Sequence, residues 1–347
     1  MRQSSESDDT APGAAGLSDA QLGAVAEDQL ATATVLSAPG TATVAFPLLD
    51  LGFDLYPRRI RTLRAHPVQV KARSFLIDGE FQASIPSLRQ DPNGYILLPY
   101  VPPPDWHLNS RLWAIPIPEF VELAQPHGSG YLFSGYLDGR FARASNKFLV
   151  DVPRLRRQWL ERIPGWKDPV PAPRFRLPSE TEEVPRPASR AFGKYGELWL
   201  ASQLMRAGLQ DVVVAQDRLR VDCDDLLLHD LQSYAIGGVA IHTSTVNARG
   251  IVQFRIRQDT FFIDAQLLVV ILPCRSDGEL HDTAFVIPAA DVPAMTTASV
   301  DRGDPGYQGS FRLEPLAEKM RPFAVPMEKL GVALLERLFP GRYGLAG

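Results

Sequence analysis

Hydrophobic positions along the chain change period several times, and each change predicts an element. Residues 18–36 carry apolar and small side chains at helical spacing. They open on Ser18 with Gln21 three places later, the pattern of a capping box. Short apolar runs then predict strands at 43–46, 53–56, 68–72, 95–101 and 112–116, and a closing helix near 152–163. A second helical pattern from about 191 to 207 stops at Gly208. It is followed by strand patterns at 212–215, 218–221, 238–243, 251–256, 266–272 and 284–288, and by a helix near 327–339. Helix, central mixed sheet and closing helix occur twice in this order, which predicts an α/β fold of two sandwich modules.

The two series also align residue by residue. With Asp54 placed on Asp225 the offset is 171, and Val68-Gln69-Val70-Lys71 falls on Val239-Ala240-Ile241-His242 at the same offset. Ala114-Ile115-Pro116 meets Val286-Ile287-Pro288 at 172, Leu160-Glu161-Arg162 meets Leu335-Glu336-Arg337 at 175, and Glu27 meets Glu197 at 170. An offset that drifts slowly in one direction is the signature of a tandem duplication, since chance matches would scatter. The expected organisation is a tail at 1–17, a first module at 18–163, a linker at 164–189 and a second module at 190–347, arranged as an intrachain pseudo-dimer. The linker reading rests on seven prolines between Pro164 and Pro187, which suit neither a helix interior nor a central strand.

Composition narrows the class. Apolar content of 45% and charged content of 22% are those of a globular protein, and no apolar run approaches the ~20 residues of a membrane span. The acidic, small-residue-rich opening lacks the order of a signal peptide, and Cys223 and Cys274 show neither disulfide nor zinc spacing. Both features predict a cytoplasmic protein without a membrane partner. A net charge of −4 weighs against a dedicated nucleic-acid binder.

The candidate chemistry lies at Gly52-Phe53-Asp54 and Val68-Gln69-Val70-Lys71. Period two on a strand puts Gln69 and Lys71 on one face and the two valines on the other. A hairpin through 58–67 would bring Asp54 alongside. This arrangement, a G-x-D strand followed by a strand of form (E/D/Q)-x-K, resembles the restriction-endonuclease-like PD-(D/E)XK nuclease superfamily. The Q-x-K form resembles its Mrr-like branch, and Glu27 on the first helix resembles the extra acid of its Holliday-junction-resolvase-like branch. The resemblance covers most of the first module and implies a Mg2+- or Mn2+-dependent nuclease acting on nucleic acid, DNA ahead of RNA. Asp54, the Gln69 amide oxygen and the Val70 carbonyl would ligate the ion, and Lys71 would orient the attacking water and stabilise phosphoryl charge. Glu27 would hold a second ion or a water. Glutamine in place of a carboxylate removes one negative charge and predicts weaker metal binding.

Around this set alternatives stay open. Arg58, Arg59, Arg61 and Arg64 read either as a phosphate-binding hairpin tip or as a charged edge that discourages aggregation. Arg154, Arg156, Arg157 and Arg162 fit a polar helix face. In the second module Ala240 and His242 replace Gln69 and Lys71, which predicts a dead site. No Walker A, G-x-S-x-G or dinucleotide fingerprint is present. Two functions therefore compete: a nuclease with one competent half, and a catalytically silent nuclease-fold protein that binds or scaffolds a partner protein.

Overall fold

The computed structural model describes residues 17–343 except 39–40, 61, 142, 165, 168–186, 209–210, 218–224, 258–260, 262, 276–278 and 302–303. The first half contains α1 (Asp19–Ser37), β1 (Ala42–Pro47), β2 (Tyr56–Arg59), β3 (Val68–Val70), β4 (Phe81–Ile85), β5 (Tyr95–Pro99), β6 (Arg111–Pro116), α2 (Ile117–Leu123), β7 (Gln125–His127), β8 (Gly130–Gly135), β9 (Leu149–Asp151) and α3 (Leu155–Gln158). The second contains α4 (Pro187–Gly208), β10 (Val212–Asp217), β11 (Leu226–Asp230), β12 (Ile236–Thr245), β13 (Ile251–Arg257), β14 (Leu267–Cys274), β15 (Thr283–Pro288), α5 (Val292–Met295), β16 (Thr297–Asp301), β17 (Asp304–Arg312), β18 (Ala324–Pro326) and α6 (Leu330–Leu338). The architecture is α/β with mixed sheets. Most of the predicted linker, and the strand expected at 218–221, lie outside the described residues.

Helix α1 begins where its cap dictates. Ser18 Oγ accepts from the Gln21 amide at 3.3 Å, and Gln21 Oε1 accepts from the Ser18 amide at 2.9 Å, which satisfies two N-terminal donors. Its inner stripe of Leu22, Ala26 and Leu30 packs in one buried cluster with Val68, Val70 and Leu97 of the sheet. The sheet's other face is covered by the small antiparallel sheet β4-β8-β7 and by α2, through Phe81, Phe133, Trp113 and Phe120.

That small sheet is a difference from expectation, which had helices flanking the sheet. Strands β3 and β5 are parallel, so the chain must cross over between them, and it does so through β4. The closing segment also differs. Instead of one helix over 152–163 there are a 3-10 turn at Val152–Arg154, the four-residue α3 and a second 3-10 turn at Leu160–Arg162. Trp159, buried in the core, interrupts them at φ −128° and ψ −70°.

The two halves share registers. Isolated bridges Leu55↔Val68 and Arg58↔Ala65 join β2 to β3. Leu226↔Val239 and His229↔Ile236 join β11 to β12, each partner displaced by 171. The crossover strands β12 and β14 are likewise parallel, with β13 between them pairing β17. One large sheet runs β18-β15-β14-β12-β11-β10-β1-β2 and connects the halves through the antiparallel pair β1-β10. Within that pair Phe46 meets Gln216, 170 positions on, close to the displacement of 171 between the two sets of bridges. The halves also share a core in which Phe53 and Tyr56 pack with Val213, Leu227 and Leu231.

Candidate functional site

Asp54 is placed by the turn before β2. Gly52 adopts φ +95°, and its amide donates to Asp50 Oδ1 at 2.9 Å. The Asp54 amide then donates to the Val68 carbonyl at 2.8 Å, and Asp54 Oδ2 accepts the Val70 amide at 2.6 Å. Strand β2 begins only at Tyr56, so the carboxylate takes the place of a strand partner for Val70. Lys71 follows immediately, half-buried, with its amide on the Leu97 carbonyl at 3.0 Å.

Three of the four expected catalytic residues act on one another electrostatically. Burial pushes the Glu27 carboxyl up to about 7, and the Asp54 carboxylate adds to the rise, followed by Asp28 and Asp50, while Lys71 opposes it. Asp54 is itself raised by burial, against the Val70 amide and Lys71, which both lower it. Asp50 belongs to this group and was invisible to motif reading, because no pattern position names it.

Gln69 is buried beside them, and its Oε1, the atom expected to ligate, has no hydrogen-bond partner among the described residues. Its side chain is 2% exposed and its Nε2 donates to the Ser87 carbonyl at 3.1 Å. The valines face α1, so alternation sends Gln69 and Arg73 to the face of β4, where Arg73 Nε donates to the Gln82 carbonyl at 3.0 Å, while Lys71, past the end of β3, acts on both Glu27 and Asp54. Val70, expected to offer its carbonyl, also meets Asp54 through its N–H. The two carboxylates coupled to each other, Glu27 and Asp54, are hard oxygen donors of the kind that suits a Mg2+-like ion.

The basic stretch is corrected at its first member. Arg58 is fully buried, because β2 lies between β1, where Arg58 pairs with Thr43, and the 65–68 segment, where it meets Ala65. It cannot sit on a nucleic-acid surface. Arg59 donates through Nη1 to the Trp166 carbonyl at 2.6 Å, Arg64 is exposed, and Arg61 lies outside the described residues.

In the second half Asp225 repeats the backbone bond. Its Oδ2 accepts the Ile241 amide at 2.6 Å and its own amide donates to the Val239 carbonyl at 2.8 Å. Burial pushes His242 down to about 4, so it is neutral at pH 7, with its ring centroid 6.5 Å from that of Phe254. Glu197 is buried and accepts from Gln216 Nε2 at 2.9 Å. Asp222, Cys223 and Asp224 lie outside the described residues. Among the described residues no three His, Cys, Asp or Glu side chains group as a ready metal cage.

A further polar chain, missed by sequence reading, joins the halves. His229 Nδ1 meets the Tyr56 hydroxyl at 3.1 Å and its Nε2 meets Asp91 Oδ2 at 3.0 Å, all three side chains being buried. No helix among the described residues is long and apolar enough to cross a membrane. No known protein-family profile matches the chain, and comparison with curated proteins finds no match.

Proposed function

We propose that this chain is a tandem nuclease-fold protein with one metal-dependent phosphodiester-cleaving site, built in its first half by Glu27, Asp54 and Lys71. The observation that carries this reading is the Glu27 carboxyl, raised to about 7 by burial and by Asp54. Two partly buried carboxylates, one from α1 and one from the turn before β2, repel each other, and that repulsion is what a cation relieves. A bound Mg2+ or Mn2+ would supply neutralisation of the charge that develops on the phosphate oxygens. Glu27 and Asp54 supply the donors, with Asp54 already oriented by the Val70 amide. Lys71 supplies the one positive side chain of the set, suited to stabilise phosphoryl charge and to orient the attacking water. In the second half Ala240 and His242 stand at the matching places, so that half offers neither the lysine nor the glutamine.

The experiment is a plasmid assay. One site cuts one strand per encounter, so supercoiled DNA should become open circle with Mg2+ or Mn2+ well before linear product appears. Lys71→Ala should abolish the nicking and His242→Ala should leave it unchanged.

A second reading, a catalytically silent nuclease-fold protein that binds a partner, is favoured by one observation. The Asp225–Ile241 bond has the same atoms and length as the Asp54–Val70 bond, in a half that lacks the lysine. The fold alone therefore accounts for retaining that aspartate. No cleavage of single- or double-stranded DNA or RNA with either ion would decide for this second reading.

A further inference from the structure

Past the end of β3 the chain runs from Lys71 to Arg73, two residues or about 7 Å further along an extended segment. There the surface opens into a cavity of about 370 Å3. Its walls include Asp19 and Leu22 of α1, Arg73 and Phe75 of the segment after β3, Ile77, and Gln82 of β4. The volume is near the lower end of the ~300–1,000 Å3 of small-molecule sites, which suits one planar ring and its sugar and excludes a duplex.

The chemistry of the walls is divided. Phe75 is 61% exposed and Ile77 46%, an unusual outlay of apolar surface at the mouth of a cavity. The Arg73 guanidinium is held in place, with Nε on the Gln82 carbonyl at 3.0 Å and Nη1 on the Ala72 carbonyl at 3.2 Å. Asp19 places a carboxylate at the rim, which repels phosphate and accepts hydrogen bonds from amino groups. The walls thus offer Phe75 and Asp19 to an amino-bearing aromatic ring, and Arg73 with Lys71 two residues before it to the phosphate that flanks the ring.

The adjoining edge has the composition of a single-strand track. The turn that carries Ile77 has Arg140 packed against Gly79, where an added Cβ would lie 2.6 Å from Nη2. Arg140 and Arg143 lie over the Tyr136 ring at 4.5 and 5.0 Å from its centroid. Rings interleaved with cations accept successive bases without regard to sequence.

We infer that the cavity between α1 and β4 is a subsite for one unpaired base of a single-stranded nucleic acid, stacked on Phe75 and contacted at its amino edge by Asp19, with its flanking phosphate at Lys71. The substrate class rests on the phosphodiester reading given above. That Phe75 is solvent-exposed makes it a clean probe, because Phe75→Ala removes the stacking surface and little of the core.

The test is fluorescence anisotropy of the full chain with a fluorescein-labelled single-stranded 12-mer, and with the same sequence as duplex, in EDTA to silence cleavage. The single strand should bind at least about tenfold tighter than the duplex, and Phe75→Ala should weaken it about tenfold, as loss of one stacked base does. Asp19→Ala should reduce the preference for oligo-dA or oligo-dC over oligo-dT. Equal affinity for single strand and duplex, or single-strand binding indifferent to Phe75→Ala, would overturn the subsite. Plasmid nicking together with Phe75-independent binding sinks the subsite alone. Phe75-dependent binding without any nicking upholds the subsite and sinks the phosphodiester reading alone.

Discussion

Asp54 and Val70 are joined by a 2.6 Å hydrogen bond from the valine amide to the carboxylate Oδ2, and Asp225 and Ile241 repeat it at 2.6 Å. In each pair the aspartate stands just before its strand begins, so its side chain completes the ladder that the backbone has not yet started.

The bond predicts matched stability losses. Asp54→Ala and Asp225→Ala each strip a charged acceptor from a partly buried amide, a change that costs about 1–3 kcal/mol. Urea denaturation of the two variants should give losses of similar size. A neutral Asp54→Ala beside a costly Asp225→Ala would show that the first carboxylate is retained for chemistry and not for the fold.

Glu27 predicts a pH dependence with a defined sign. Its carboxyl is raised to about 7 in the folded chain against 4.5 for the free group. The folded state therefore holds a proton that the unfolded state has released, and stability falls as pH rises from about 4.5 towards 7. Allowing for solvent screening of a half-exposed group, the fall is about 1 kcal/mol. Glu27→Gln should remove it in denaturation curves recorded from pH 4.5 to 8. A cation at the same carboxylate competes with that proton, so Mn2+ affinity should climb through the same window in the wild type only.

Gln69 separates the motif from the site. Because its amide is bonded inward to Ser87, Gln69→Leu should preserve nicking while costing about 1 kcal/mol of stability. Gln69→Glu, which restores the carboxylate form of the motif, would place a charge at a position 2% exposed and should destabilise the chain by several kcal/mol. Loss of nicking in a stably folded Gln69→Leu would return this residue to the ligand set.

The Tyr56–His229–Asp91 chain predicts coupling between the halves. Tyr56→Phe removes one hydrogen bond and should cost about 1 kcal/mol, whereas Asp91→Ala leaves a buried imidazole without its carboxylate and should cost about 1–3 kcal/mol. The two changes share His229, so a double-mutant cycle in urea should return a non-zero interaction energy of about 0.5–3 kcal/mol. Strict additivity would mean that the imidazole does not transmit between its partners.

Local physics was legible in the sequence. The Ser18–Gln21 capping box fixed where α1 begins, and the apolar runs at 95–101, 112–116 and 284–288 located β5, β6 and β15. Alternation separated Val68 and Val70, which pack with α1, from Gln69, which bonds to the Ser87 carbonyl. The strand β4 escaped because its alternation of Phe81, Ala83 and Ile85 with Gln82 and Ser84 is only five residues long. The 152–163 segment has helical spacing yet is broken at Trp159, whose burial prevails over local helix preference.

Only the tertiary structure decided what each face meets. Period two sets Gln69 apart from the valines, but does not state that the Ser87 segment packs over it and leaves it buried. Charge pattern states that Arg58 is basic, but not that β1 and the 65–68 segment enclose it on both sides. His229 shows no ligand spacing in the sequence, and pairing of β1 with β10 carries Tyr56 and Asp91 to it from more than a hundred residues away. Caps, turns and alternation depend on neighbours within a few residues, so the chain specifies them by itself. Burial of a given polar side chain depends on which distant segment packs over it, and that is settled only when the whole sheet assembles.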